Sequence, residues 1–287
     1  MKTILIAGGT GLVGSHLCPF LRKQGYEVRL LSRHPEKVRN YPAWHWDVRA
    51  RHIDRAALEG VDAVINLAGA GIADQPWTKA RKQELIASRV DATLLLRDAL
   101  AELKVKPRRY IAASAIGYYG NRADEWVDED SAPGTSGFLT QLAVAWEEAA
   151  RQMEALGIAT ARLRIGIVLA REGGALKPLA LPGLFGLAPW FGSGRQWYSW
   201  IHVTDLVRMI HHLLTHPDLT GPWNGVSPNP VQLKDFVKTI ARIRRGLALG
   251  MPVPEWLLRL GMGEMADTVL YSTRVRPRRW LEETDFA

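Results

Sequence analysis

One short segment constrains this chain more than any other. Lys2 to Ala7 is a near-continuous apolar run of strand type, and Ala7-Gly8-Gly9-Thr10-Gly11-Leu12-Val13-Gly14 follows it directly, opening a helical apolar pattern that ends near Gly25. Glycines at such a junction allow a tight turn, let the backbone approach a bulky anion, and let helix and strand pack closely. The free N–H groups and positive dipole end of the helix then face the anion. In this position the pattern reads as the diphosphate corner of a dinucleotide site, with Gly8, Thr10, Gly11, Leu12 and Val13 against the cofactor. The plainer reading is a strand–helix turn without a ligand.

The second strand, Glu27 to Leu31, runs into Ser32-Arg33. A site for NAD places a carboxylate about 20 residues after the glycines to bind the ribose 2'-hydroxyl, and that carboxylate repels a 2'-phosphate. None stands here. The planar guanidinium of Arg33 and the hydroxyl of Ser32 suit the phosphate instead, so NADP(H) is the expected cofactor; a plain surface arginine is the alternative. Asp47-Val48 is expected to border the adenine, and Leu67-Ala68-Gly69 to lie along the ribose and pyrophosphate, although Leu-Ala-Gly at a strand end is also an ordinary turn.

Further strands are expected at Asp62–Leu67, Tyr110–Ala113 and Thr160–Leu169, and helices at Lys79–Leu103 and Phe138–Leu156. Strands alternating with helices predict an α/β chain: a Rossmann-type, doubly wound parallel sheet with a small, mostly helical C-terminal substrate lobe. The division is residues 1–165 as the dinucleotide domain and 166–287 as lobe and lid, intertwined with the sheet as one structural unit. Gly173–Gly194, rich in Gly and Pro, is the expected loop or lid, and Val203–Thr215, Val231–Arg244 and Pro254–Leu260 the later helices. Cys18, the single cysteine, sits in an apolar helical run and reads as a buried small hydrophobe.

The formal charge of +8 raises nucleic acid as a partner. Only Arg274, Arg276, Arg278 and Arg279 are dense, with Arg242, Arg244 and Arg245 a weaker group, and no nucleic-acid module accompanies them. Solvated basic faces that favour anionic ligands are the expectation. The histidines lack ligand spacing, so no metal is expected, and no Gly-x-Ser-x-Gly elbow is present. Met1-Lys2-Thr3 leads straight into a strand, and no apolar run has bilayer length; the expected address is cytoplasmic, with no membrane partner.

Ile65-Asn66-Leu67-Ala68-Gly69, Ser114-Ala115-Ile116-Gly117-Tyr118-Tyr119-Gly120, Gly192-Ser193-Gly194-Arg195-Gln196 and Trp200-Ile201-His202-Val203-Thr204-Asp205-Leu206 resemble the short-chain dehydrogenase/reductase superfamily in its extended, epimerase-like form. More narrowly they resemble an atypical epimerase-family subgroup of NADP-dependent oxidoreductases that includes the bacterial YfcH type. The similarity covers nearly the whole chain. It implies further cofactor contacts from Glu84, Arg89 and the backbone around Ile167; from physics alone Glu84 and Arg89 are a solvated helix pair. Relatives run on past Leu281-Glu282-Glu283 with a further apolar segment and helix, so part of the C-terminal lobe is expected to lie outside this sequence.

Hydride-transfer enzymes of that superfamily use a Tyr-x-x-x-Lys helix, in which the lysine lowers the tyrosine pKa. Here the helix opens Phe138-Leu139-Thr140-Gln141-Leu142, so neither ionisable member is present. Ser114, which fits the polar position after the fifth strand, and Tyr118, which could supply the phenol, are the catalytic candidates; the plainer reading of Tyr118 is a packing or pocket-lining aromatic. Tyr119, Arg195 and Trp200 are candidates for the substrate pocket, with Arg195 suited to an anionic group and Trp197 and Tyr198 to an aromatic wall. His202 reads either as a base or as a helix cap. Two functions follow: an NADP(H)-dependent oxidoreductase or epimerase-like enzyme on a small, anionic or neutral substrate, or a non-catalytic NADP(H)-binding regulatory protein. An oligomer is compatible with either.

Overall fold

In the computed structural model, which describes residues 2–286, eight strands form the central sheet. They are β1 (Thr3–Ala7), β2 (Glu27–Ser32), β3 (Ala43–Asp47), β4 (His52–Ile53), β5 (Ala63–Asn66), β6 (Arg109–Ala115), β7 (Ala159–Ile165) and β8 (Gly221–Gly225). The order across the sheet is β8-β7-β6-β5-β1-β2-β3-β4, and only β4 runs antiparallel to its neighbour. Ile6 of β1 pairs with Leu30 on one side and Ile65 on the other, so strand order reverses between β1 and β5. Two successive crossovers leave that point in opposite directions, which opens a crevice at the carboxyl ends of the strands.

The helices used below are α1 (Leu12–Lys23), α2 (Lys79–Ala87), α3 (Val90–Ala101), α4 (Phe138–Arg151) and α5 (Val203–Thr215). Leu17 and Leu21 of α1 join Leu206 and Ile210 of α5 over Ile4, Ile6, Leu30 and Leu163 on one face. Leu95 and Leu96 of α3 cover Leu5, Val64 and Tyr110 on the other. Buried on both faces, the parallel strands carry continuous apolar runs rather than alternation, which is why they were legible.

Three elements differ from the sequence expectation. The helix expected over Lys79–Leu103 is two helices, broken where Ser88 Oγ donates to Leu85 O and accepts from Ala70 N, diverting a helical carbonyl. The strand expected over Thr160–Leu169 divides at Gly166: β7 stays in the central sheet, while Ile167–Ala170 pairs with Trp200–His202 and Gly173–Gly174. A Cβ at Gly166 would overlap Ser199 O, so only glycine permits the handover. Within the expected lid, Leu187–Phe191 forms a parallel pair with Leu249–Val253. Neither that pairing nor β8 was expected, because Gly221-Pro222-Trp223-Asn224-Gly225 has a turn composition. No helix among the described residues is long and apolar enough to cross a membrane.

Cys18 is 1% exposed in α1, and burial pushes its thiol up to about 12. At pH 8 a thiol reagent should label native protein at least about 100-fold more slowly than a free thiol, because only the thiolate reacts. Labelling should become prompt in guanidinium; prompt labelling of native protein would contradict this packing.

Candidate functional site

A cavity of about 470 Å³ opens over the carboxyl ends of β1, β5, β6 and β7. Its outer floor is the glycine turn. Gly8 has φ +79, and a Cβ there would lie 2.7 Å from the Leu67 carbonyl carbon; a Cβ on Gly14 would lie 2.5 Å from Gly9 Cα. Helix α1 starts at Gly11 with no side-chain cap and no acidic residue in its first turn. The N–H groups of Leu12, Val13 and Gly14, which all line the cavity, are therefore donors without a capping side chain. An uncapped helix N-terminus over a cradle that admits no Cβ fits the diphosphate of a dinucleotide. Leu67, Ala68 and Gly69 form the opposite wall. Buried Asn66 shapes it by accepting from Ala68 N at 3.1 Å while donating to Thr93 and Tyr110. Thr10 is exposed and lies off the lining.

At the end of β2, Ser32 Oγ accepts from His34 N at 3.1 Å, and Arg33 is exposed with no hydrogen bond or ion pair to the described residues. Asp47 is occupied in a turn, where Ala50 and Arg49 N–H groups hold its carboxyl below the usual range.

Of the two helix charges implied by family resemblance, Arg89 lines the cavity and Glu84 does not. Glu84 accepts from Arg81 at 2.8 Å, and Arg81 also donates to Gly71 O. Arg89 donates to Ala70 O at 2.9 Å and Leu85 O at 3.2 Å and stacks over Trp146. Burial first, then Arg81, lowers its pKa to about 10. With its bonds going to carbonyls rather than a carboxylate, its charge remains available to an anion in the cleft.

Ser114 lines the inner end, where its hydroxyl donates to Glu147 Oε1 at 2.8 Å. Glu147, 4% exposed on α4, also accepts from Arg164 through Nε at 2.7 Å and Nη2 at 3.0 Å. Arg164 continues to the Tyr119 hydroxyl at 2.9 Å, and that phenol donates to Asn224 of β8 at 2.7 Å. Tyr119, expected in the substrate pocket, is thus a fully buried link in this network and does not line the cavity. Tyr118 is also off the lining, its ring lying 3.6 Å beneath the Arg164 guanidinium.

Arg195 and Trp200 also lie off the lining of this cavity. Arg195 lies in a separate hollow of about 260 Å³ with Asn121, Asp124 and Glu255. Trp200 is drawn aside by its bond to Asn229 O, whereas Trp197 and Tyr198 do line the cleft. His202 caps α5, its ring nitrogen accepting from Thr204 N at 3.3 Å. Ile167 lines the inner end beside Gly166.

Several lining or supporting residues were not singled out from sequence: Glu147, Arg164, Leu139, Trp146, Asp267 and Tyr271. A signal existed for the first two, since Arg162 and Arg164 alternate through a strand otherwise of buried type and Glu147 interrupts the apolar stripe of α4. None existed for Asp267 and Tyr271, which reach the cleft only through long-range packing.

The profile of the NAD dependent epimerase/dehydratase family matches residues 4–224, and that of a domain of unknown function matches 253–287. Epimerase family protein YfhF of Bacillus subtilis is 38% identical over 280 residues, covering 96% of this chain and 90% of the relative. The human epimerase family protein SDR39U1, solved with NADPH, superposes with a TM-score of 0.88 at 30% identity, covering 100% of this chain and 95% of that one. UDP-glucuronic acid 4-epimerase of Bacillus cereus, solved with UDP-glucuronic acid and NAD, has a TM-score of 0.76 at 20% identity, covering 96% and 89%; that likeness is one of fold alone.

Proposed function

This chain belongs to the NAD dependent epimerase/dehydratase family, and on that premise we propose that it binds NADP(H) and passes hydride between the nicotinamide and a small-molecule substrate. The observation that carries the cofactor choice is Arg33, an exposed guanidinium without a partner among the described residues, at the end of a strand that supplies no carboxylate. The NADPH bound by the human relative supports the same choice. The N–H groups of Leu12 and Val13 would hold the diphosphate, Ser32 and Arg33 the 2'-phosphate, and Ser114 and Ile167 would flank the nicotinamide. When bound, the nicotinamide supplies a hydride donor or acceptor. The chain's own part is to bind, orient and exclude water.

A second reading, a non-catalytic NADP(H)-binding regulatory protein, draws on the hydroxyl of Ser114 being committed to Glu147 and on Phe138 and Leu142 where the superfamily carries its ionisable pair. The two are separated by whether the bound cofactor loses hydride to any acceptor.

Titration of NADPH and NADH against Arg33→Ala tests the cofactor assignment. A lost charge-assisted bond is worth about 1.5–3 kcal/mol, so NADPH should bind about 10- to 100-fold more weakly. NADH affinity should not change. An unaltered preference for NADPH in the variant would remove Arg33 as its source.

A further inference from the structure

We propose that the hydride acceptor taken by this cleft is a planar, conjugated, largely apolar molecule of quinone type rather than a hydroxyl-rich sugar. The proposal rests on the reading of the cleft as an NADP(H) site. Sugar recognition requires free donors and acceptors, because each buried hydroxyl left unpaired is destabilising. The inner cleft has few to give. Ser114 donates to Glu147, Ser199 to Thr273 O, Thr273 to Gly120 O, Thr268 to Met265 O and Tyr198 to Val269 O. Each of these side chains lines the cavity, and each hydroxyl proton is already spent on the protein. Trp146 Nε1, which lacks an acceptor, is itself buried from the cavity space.

The remaining surface is mostly apolar, aliphatic with the rings of Trp146 and Trp197; its charged groups are Arg89 and Asp267, and Asp267 already accepts from Arg259 at 3.1 Å. Ile72, Ile116, Leu139, Leu142, Ala143 and Ile167 line the same cavity. Of the two arginines that suit an anion, Arg195 lies in the other hollow, and Arg89 on this one already donates to Ala70 O and Leu85 O.

Acid–base chemistry points the same way. Reducing an isolated ketone localises charge on one oxygen, which needs a positioned acid of matched pKa. Both phenols lining the cleft are shifted in the wrong direction: burial raises Tyr198, and burial followed by Asp267 raises Tyr271. A quinone needs no such group. Hydride leaves the nicotinamide C4 with its electron pair and forms an O–H bond on one quinone oxygen. The other oxygen and the ring carry the resulting charge, and water supplies the second proton. NADPH is oxidised to NADP+, and the quinone is reduced to the hydroquinone.

The test uses the full chain with 2-methyl-1,4-naphthoquinone. NADPH affinity is measured first by calorimetry; no binding would remove the cofactor reading and this proposal with it. With NADPH bound, saturable loss of absorbance at 340 nm above the uncatalysed rate is expected with the naphthoquinone, and none with UDP-glucose or UDP-glucuronic acid. Independently of turnover, the naphthoquinone should quench the fluorescence of Trp146 and Trp197 in NADP+-saturated protein. Leu139→Ser and Ile116→Ser, both at half-buried positions, should each weaken that quenching about tenfold, since a lost apolar contact of this size discriminates by 10-fold or more. NADPH affinity should stay unchanged in both. Bound NADPH with neither quenching nor oxidation, or turnover of the sugar nucleotides, overturns the proposal.

Discussion

Glu147→Ala should lower the unfolding free energy by about 3–5 kcal/mol, the usual effect of removing one partner of a buried ion pair. The carboxylate is 4% exposed and receives Ser114 and both nitrogens of the Arg164 fork; Arg164 itself is 3% exposed. Burial by itself would push the Arg164 pKa down, and the bonds from Glu147 and Tyr119 more than reverse that, so the guanidinium stays charged. Without Glu147 it keeps the Tyr119 hydroxyl, Glu129 O and the face of the Tyr118 ring, none of which carries a full compensating charge. At about 2–4 °C per kcal/mol for a chain of this general size, the melting temperature should fall by about 10 °C. Glu147→Gln, which keeps shape and loses charge, should fall between the two. Glu147→Leu combined with Arg164→Met should recover much of the loss, because the stranded charge goes as well. Denaturant titrations followed by tryptophan fluorescence measure the three variants against the parent protein. A loss below about 1 kcal/mol in Glu147→Ala would mean that water reaches the pair, since exposed ion pairs contribute that little.

Gly8→Ala should abolish detectable cofactor binding and destabilise the protein without ligand by several kcal/mol. Two independent penalties meet there. The left-handed backbone, φ +79, disfavours any Cβ by about 1–2 kcal/mol. The new atom would also lie 2.7 Å from the carbonyl carbon and oxygen of Leu67 and 2.9 Å from Ala68 N. Those are backbone atoms at the end of a central strand and cannot swing aside as a side chain can, so β1 and β5 must separate just where the cradle forms. Gly11→Ala is the contrast. Its φ of −77 accepts alanine, and the added Cβ would meet only Gly8 O, at 3.3 Å. It should leave the stability of the free protein within about 1 kcal/mol, the usual range for an unstrained glycine replacement. Equal destabilisation by both variants would show that the clash at Leu67 is relieved by movement elsewhere.

Much of the sheet was legible because its signals are local. Ile4-Leu5-Ile6-Ala7, Ala63-Val64-Ile65 and Tyr110-Ile111-Ala112-Ala113 are short apolar runs bounded by turn residues, as parallel strands buried on both faces require. The strand β8 was not legible: its Trp223 is fully buried and Asn224 receives the Tyr119 hydroxyl, but nothing in its own neighbours announces either role. Arg195 and Trp200 stand in motifs that suit a pocket, yet which hollow a loop faces is set by what packs beneath it. Tyr119 and Tyr118 are adjacent in sequence to a cavity-lining turn, and the buried guanidinium of Arg164 draws both away from the cavity.

The amino-acid sequence by itself determined the diphosphate cradle and the absence of a carboxylate after the second strand, since strand, glycine turn, helix and Arg33 lie within a single crossover unit whose geometry is local. Tertiary structure alone decided what faces the inner cleft. Tyr271 and Asp267 reach it because Ser272 N donates to Asn121 Oδ1 and Thr273 Oγ1 donates to Gly120 O, bonds that span about half the chain. Contacts of that sequence separation depend on the whole fold having closed, so no spacing or periodicity near residue 271 records them.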